Sequence, residues 1–372
     1  MSVEIHEVSN RKQLRAFIRL PAKIHRNHLK WVPPIYSEER KYFNKKKNRA
    51  FHHSETVLVL AYRNNEPVGR IMGIISHRYN SYRMEKIGRF GYLECGDDQE
   101  AAHMLLSFIE KWARERNMQK CVGPMGFSDQ DPEGFLVEGF EFEPSLSTYF
   151  NFEHMIRLLE KEGYKKEVDY VVYRVAVPEK IPEFYKRIYE RIEKNRNYTV
   201  LEFSKRKQIE PYIRPIFQLM NDTFKNNYGY SPLEEEEMDE LGKKYLPVVN
   251  PNFVKIIAKN HEIVAFTIGI PNMAPGLREA KGRLFPLGLF KILGAAKKTK
   301  QLDLYLGGIK EECRGKGLDV MLGVKMIESS QKTGIEFWDS HHELESNFKV
   351  QAEMERLGGK VYKRFRIYQK LL

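Results

Sequence analysis

Arg314, Gly315, Lys316 and Gly317 occupy four consecutive positions between an apolar run, Leu302 to Ile309, and a segment whose Leu318, Met321, Leu322 and Met326 recur at helical spacing. Glycines let the backbone approach a ligand closely, the first turn of a helix offers N–H groups without partners, and the two bases add positive charge. That combination suits a pyrophosphate. A second constellation follows the strand-like stretch Ile335 to Ser340, where Asp339 stands two residues before the pair His341 and His342. Imidazole beside a carboxylate is the usual equipment for proton transfer, and Tyr305 or Asp303 on the run before the glycine turn is the other candidate. Cys313 lies inside the glycine turn and not opposite a base, so the chain shows no activated nucleophile for a covalent intermediate.

The remaining chain must position these groups, and its length of 372 residues points to two domains. The formal net charge of +12 favours anionic partners: a nucleotide-bearing cofactor, nucleic acid or a membrane surface. Three cysteines, Cys95, Cys121 and Cys313, have no metal-ligand spacing and imply a reducing compartment, without a disulfide framework or a metal site. No apolar signal core opens the chain, and nowhere do about eighteen apolar residues run uninterrupted. These features imply a soluble, cytoplasmic protein without a transmembrane segment.

Patterning gives a strand at Val3 to Val8, a helix capped by Ser9, and then a basic, aromatic region from Lys23 to Arg49. A hairpin follows, Thr56 to Tyr62 and Pro67 to Ile75, then a strand from Arg89 to Cys95 and a helix from Gln99 to Arg116. Gln119 to Pro124 is a strand, Asn151 to Lys161 a helix ended by Gly163, and Val168 to Val175 a strand. The same order recurs in the second half: a hairpin from Phe253 to Ile270, strand Leu302 to Ile309, helix Leu318 to Gln331, strand Ile335 to Ser340, helix Asn347 to Leu357 and strand Val361 to Gln369. Tyr92-Leu93 answers Tyr305-Leu306, and Asn151-Phe152 answers Asn347-Phe348. Two inserts distinguish the halves, Gly126 to Ser147 in the first and Asn272 to Lys300 in the second. The boundary falls near Pro178 to Pro182, with Ile181 to Lys194 as a helical linker, which divides the chain into 1–178 and 179–372.

The second half resembles the GNAT superfamily of acyl-CoA-dependent N-acyltransferases through its hairpin, the strand Leu304 to Ile309, the turn Glu312 to Gly317, the helix after it, and Asn347 with Gly358. The first half resembles the same fold more weakly. The resemblance implies an α/β fold of two tandem GNAT-like domains, each a mixed, mostly antiparallel sheet flanked by helices. It implies acyl-CoA, either acetyl-CoA or a longer chain, as co-substrate and no metal, with Ile309, Arg314, Gly315, Lys316, Gly317, Leu318 and Asn347 around it. Glu312 stands where the family's turn usually begins with Gln or Arg, and Met354 where a Tyr often protonates the departing thiolate. The corresponding first-half loop, Cys95 to Glu100, carries acids that occupy a helix N-terminus themselves, so this half is expected to bind no coenzyme A there.

The expected activity is direct transfer of an acyl group to a small-molecule or peptide amine, with His341, Asp339 and Tyr305 as the catalytic candidates. Asp129, Asp131, Glu133, Glu141 and Glu143 of the first insert are suited to a cationic amine. Within the second insert, Lys281 to Lys300 holds bases and apolar residues without an acid, a composition suited to peripheral membrane contact or to covering an acyl chain. Two alternatives stand beside this reading. One is a transferase of the same fold that takes aminoacyl-tRNA, which would make nucleic acid a partner; the other is a non-catalytic binding protein for coenzyme A or another ligand.

Overall fold

A computed structural model describes residues 2–194 and 197–372. The first half contains β1 (Glu4–Glu7), α1 (Arg11–Ile24), α2 (Tyr36–Tyr42), β2 (Ser54–Arg63), β3 (Glu66–Ser76), α3 (His77–Arg83), β4 (Ile87–Cys95), α4 (Gln99–Arg114), β5 (Lys120–Gly123), β6 (Phe135–Glu138), α5 (His154–Lys161) and β7 (Lys165–Ala176). α6 (Glu183–Lys194) leads into β8 (Thr199–Glu202), α7 (Ile213–Thr223), α8 (Glu235–Tyr245), β9 (Val254–Lys259), β10 (Glu262–Pro271), α9 (Ala274–Ala280), α10 (Gly288–Lys298), β11 (Gln301–Ile309), α11 (Leu318–Thr333), β12 (Phe337–Asp339), β13 (Glu343–Leu344), α12 (Phe348–Arg356) and β14 (Lys360–Leu371).

Local chemistry explains the repeated pieces. Both hairpins turn through two residues with positive φ, Asn64 and Asn65 in the first and Asn260 and His261 in the second, as a tight two-residue connection requires. The apolar stripe of α4 buries Ala102, Leu105, Leu106, Ile109 and Trp112 against the first half's sheet, as its spacing predicts. The α1 cap differs from the expected Ser9. Asn10 takes that role because its side chain accepts from the Gln13 N–H at 3.0 Å, while the Gln13 amide accepts the Ser9 N–H at 2.9 Å.

The two expected sheets are joined edge to edge into a single 14-stranded one. Its order is β1-β2-β3-β4-β5-β14-β7-β12-β11-β10-β9-β8, with β6 and β13 as short additions beside β14 and β7. The last strand of each half therefore pairs into the other half: β14 lies between β5 and β7, and β7 between β14 and β12. The long antiparallel ladder from Lys360↔Arg174 to Gln369↔Lys165 holds this exchange, so backbone hydrogen bonds and not only side-chain packing join the halves. Among the described residues no helix is long and apolar enough to cross a membrane.

Candidate active site

Each half contains one short parallel pairing, and there the sheet parts. In the first half β4 and β5 pair only from Ile87↔Lys120 to Arg89↔Val122; in the second, β11 and β12 pair only from Gln301↔Phe337 to Asp303↔Asp339. Beyond these pairs the strands diverge into a wedge. The first wedge is filled by its own chain. Met125 donates its N–H to the Phe90 carbonyl at 2.9 Å, its own carbonyl lies 2.6 Å from where a Cβ on Gly91 would stand, and the Tyr149 hydroxyl accepts the Tyr92 N–H at 3.2 Å. In the second wedge β11 continues from Leu304 to Ile309 without a β12 partner, its side chains half-buried or exposed.

The glycine turn lies at the far end of β11. Gly315 and Gly317 adopt φ of 71° and 82°, in the left-handed region that glycine enters without strain. They differ in surroundings. A Cβ on Gly317 would meet Ile192 of α6 at 2.6 Å, so helix packing alone accounts for that glycine; around Gly315 a Cβ would meet nothing within 4 Å. The open side of the turn therefore faces solvent at Gly315, beside exposed Arg314 and Lys316 and the N-terminus of α11, whose buried Leu318 anchors the helix. Arg314 donates from Nε to the Ile309 carbonyl at 3.2 Å. Glu312 is paired with Lys310 at 2.9 Å, which offsets its negative charge beside Arg314 and Lys316. The first half has no such opening, because Asp98 caps α4 through the Ala101 N–H at 3.1 Å and itself pairs with Arg63 at 3.0 Å.

His341, Asp339 and Tyr305 come together where the second wedge begins. Asp339 is wholly buried and saturated: Lys363 Nζ at 3.1 Å, Ser145 Oγ at 2.5 Å and the Tyr362 hydroxyl all donate to Oδ2, and the His341 N–H donates to Oδ1 at 2.7 Å. Burial works against its charge, but Lys363, Ser145 and Tyr362 together hold its carboxyl below the ordinary carboxylate value. Asp339 is thus a fixed anion that positions the backbone of His341, which carries an unusual φ of 60°. The His341 ring donates from Nε2 to the Leu146 carbonyl at 2.8 Å. Since a carbonyl only accepts, Nδ1 carries the free lone pair of the neutral ring. Burial lowers the pKa of this histidine, only partly opposed by Asp339, so the ring is neutral at pH 7. Tyr305 meets it edge-on at 5.2 Å between ring centroids, and its hydroxyl lies 3.0 Å from that of Tyr245. Burial pushes the Tyr305 phenol well above its usual range, so the hydroxyl keeps its proton near neutral pH.

Asp303 adds a second buried carboxyl. It accepts the Leu146 N–H at 2.9 Å and the Gln301 amide at 2.6 Å, while burial and the neighbouring Asp339 raise it to about 7. The segment Pro144 to Ser147 that reaches these acids belongs to the first half's insert, and Asn272 of the second half donates to the Pro144 carbonyl at 2.9 Å. Ser145, Leu146, Tyr362 and Lys363 were not among the residues expected from sequence. Lys363 carries the one signal that could have found it: a lysine on the same strand face as the buried Phe365 and Ile367 requires a buried acid. Asn347 stands at the start of α12, and its backbone bonds run to Leu344 and Gln351.

The five insert carboxylates divide. Glu143 is bound by Arg278 at 2.6 and 3.0 Å, and Glu141 is exposed. Asp131 accepts the Tyr42 hydroxyl and the Phe127 N–H, both at 2.8 Å. Burial raises Asp129 to about 7 and Glu133 well above the carboxylate range. Glu133 keeps a buried Oε2 without a hydrogen-bond partner, and nearby Tyr170 stacks on His342 at 5.1 Å. This acidic wall leads through Tyr170 and His342 to His341. Among the described residues no group of three or more His, Cys, Asp or Glu is arranged to hold a metal ion.

A two-halved sheet that parts at matching points, with a glycine turn before the next helix in one half, is the fold of the tandem GCN5-related N-acetyltransferases. The tandem GNAT protein of the clavulanic acid biosynthesis pathway superposes with a TM-score of 0.56 at 9% identity, over 100% of this chain and 98% of that one. A GCN5-related N-acetyltransferase of Sphaerobacter thermophilus gives 0.53 at 13% identity, over 99% and 95%. In sequence the chain is similar to the bacterial ceramide synthase of Caulobacter vibrioides, 27% identical over 368 residues that cover 97% of this chain and 95% of that protein. It is also similar to protein YghO of Escherichia coli, 23% identical over 367 residues, covering 97% and 93%. No family model matches the chain.

Proposed function

We propose that the protein is an N-acyltransferase that binds an acyl-CoA in the second half and transfers the acyl group to the amine of a long-chain amino alcohol. The single observation that carries the first part is the contrast between wedges: the second is open along Leu304 to Ile309 and ends at a cationic glycine turn, while Met125 and Tyr149 fill the first. The acceptor class rests on the similarity to a ceramide synthase, since ceramide is the N-acyl amide of such an alcohol.

In this reading the turn at Arg314 to Leu318 holds the pyrophosphate through backbone N–H groups, and Asn347 flanks the cofactor arm. Asp129 and Glu133 accept hydrogen bonds from the acceptor's amine, which enters neutral so that its nitrogen carries the attacking lone pair. His341 takes a proton at Nδ1 as the amine nitrogen attacks the thioester carbon; the C–N bond forms, the C–S bond breaks, and the sulfur leaves as thiolate. Tyr305, protonated, donates a hydrogen bond at the reacting end of β11, whereas Met354 has no proton to donate. Thiolate departure needs little help because a thiol's pKa near 8.5 makes it a fair leaving group.

Calorimetry with acetyl-CoA and a long-chain acyl-CoA tests the site, alongside Gly315→Glu and the control Gly315→Asn, which tolerates positive φ. Gly315→Glu is expected to weaken binding at least tenfold and Gly315→Asn much less. Absence of binding by the unaltered protein overturns the reading. Release of free thiol on adding a sphingoid amine then separates an enzyme from a binding protein, and turnover only with aminoacyl-tRNA would replace the donor.

A further inference from the structure

The insert between β10 and β11 has two sides with different surroundings. On the inner side Ile270, Met273, Ala280 and Ile292 are buried in a cluster that includes Leu146 and Tyr305 of the candidate site. On the outer side Phe285, Leu287, Leu289 and Phe290 are exposed at 79%, 62%, 39% and 71%. Four large apolar side chains within six residues are more than scattered exposure accounts for. Beside them lies a groove of about 600 Å3 between α1 and the α9–α10 connection, where Arg19, Lys281, Arg283 and Lys291 face one acid, Glu279, while Lys23 at its edge is paired with Glu66 at 2.7 Å. Apolar tips set beside a collar of cations match a lipid interface: aromatics enter the acyl boundary while lysines and arginines meet phosphates. A nucleic acid would engage the same bases but leave Phe285 and Phe290 uncovered.

We propose that the α9–α10 connection docks the protein on an anionic phospholipid surface, with Leu146 and Tyr305 directly behind the docked face. Exposure and charge define this surface independently of any acyl transfer. The test is co-sedimentation of the full chain with vesicles of phosphatidylcholine alone and of phosphatidylcholine mixed with phosphatidylglycerol. Binding is expected to the mixed vesicles and to weaken with salt. Phe285→Asp with Phe290→Asp is expected to weaken it at least tenfold, and Lys281→Glu or Lys291→Glu by at least about fivefold each, since loss of one base alone is worth roughly 1 kcal/mol. All four side chains are exposed, so circular dichroism should show each variant folded. No binding to mixed vesicles, equal binding to neutral ones, or indifference to the phenylalanine pair would overturn the proposal. Duplex DNA that binds through the lysines while the phenylalanine pair has no effect would identify a nucleic-acid surface instead.

Discussion

Replacing Lys363 with methionine removes the cation from Asp339 while leaving a side chain of similar volume. The pair is 3.1 Å apart, with the lysine side chain 1% and the aspartate side chain 0% exposed, so solvent cannot screen what remains. Breaking a buried ion pair by deleting one partner costs about 3–5 kcal/mol, because the other charge stays buried. The sign with pH is distinctive. In the native protein Asp339 is held below its unfolded value, so its contribution is present at neutral pH and fades as pH falls through the depressed value. In Lys363→Met two buried carboxyls, Asp303 and Asp339, share a site without their cation, and the folded state gains affinity for protons. The destabilisation should then be largest at pH 8 and smaller at pH 5 by at least ~1.4 kcal/mol, the worth of one pKa unit. Urea unfolding followed by the fluorescence of the chain's tryptophans, including buried Trp338, reads both values. Adding Asp339→Asn to Lys363→Met should restore much of the loss, since the orphaned charge of Asp339 and its repulsion of Asp303 are both removed. A loss below about 1 kcal/mol, or one equal at both pH values, would refute the assignment of Asp339 as a buried anion held by Lys363.

Two further outcomes follow from the same region. Because burial lowers His341 below 6.5, the acid limb of kcat/KM for amine acylation should lie below pH 6.5, and His341→Gln should reduce kcat by about 10²–10⁴ without unfolding the protein; a limb above pH 6.5 that survives in the variant would assign the base elsewhere. Gly139 adopts a φ of 94° with the Tyr362 carbonyl 2.4 Å from any Cβ, so Gly139→Ala should cost about 1–3 kcal/mol, and an unchanged Tm would show that this loop yields.

Much of the scaffold was legible because local chemistry decides it. The turns at Asn64-Asn65 and Asn260-His261, the α4 stripe and the apolar run before the glycine turn all depend on residues near in sequence. β8, α7 and α8 were not assigned from sequence. α7 begins Ile-Arg-Pro, and a proline there obscures the apolar spacing of Ile216, Phe217, Leu219 and Met220, all of which are buried. The helix forms because its apolar face packs with Val254, Ile256 and Phe266 of β9 and β10, a tertiary effect that local spacing does not encode. In the site, the glycine turn and the His341–Asp339 pair could be read from residue type. Which carboxylate stays ionised could not, because that depends on Ser145, Tyr362 and Lys363, distant in sequence.

The exchanged strands explain why the site belongs to neither half alone. Within β14, Tyr362 and Lys363 supply two of the three donors to Asp339 Oδ2, while farther along the same strand Gln369 and Lys370 pair with Val122 and Cys121 of β5. The third donor, Ser145, comes from the first half's insert, and Leu146 beside it accepts from His341 and donates to Asp303. A cut at residue 178 would separate the ladder of β7 and β14 and remove Ser145 and Leu146 from the second half. Asp339 would lose one of its donors, and His341 the acceptor that fixes its tautomer. The first half, whose own wedge is filled by Met125, therefore acts on the second by holding the proton arrangement of its acids and histidine. That dependence gives a degenerate copy a physical reason to remain attached.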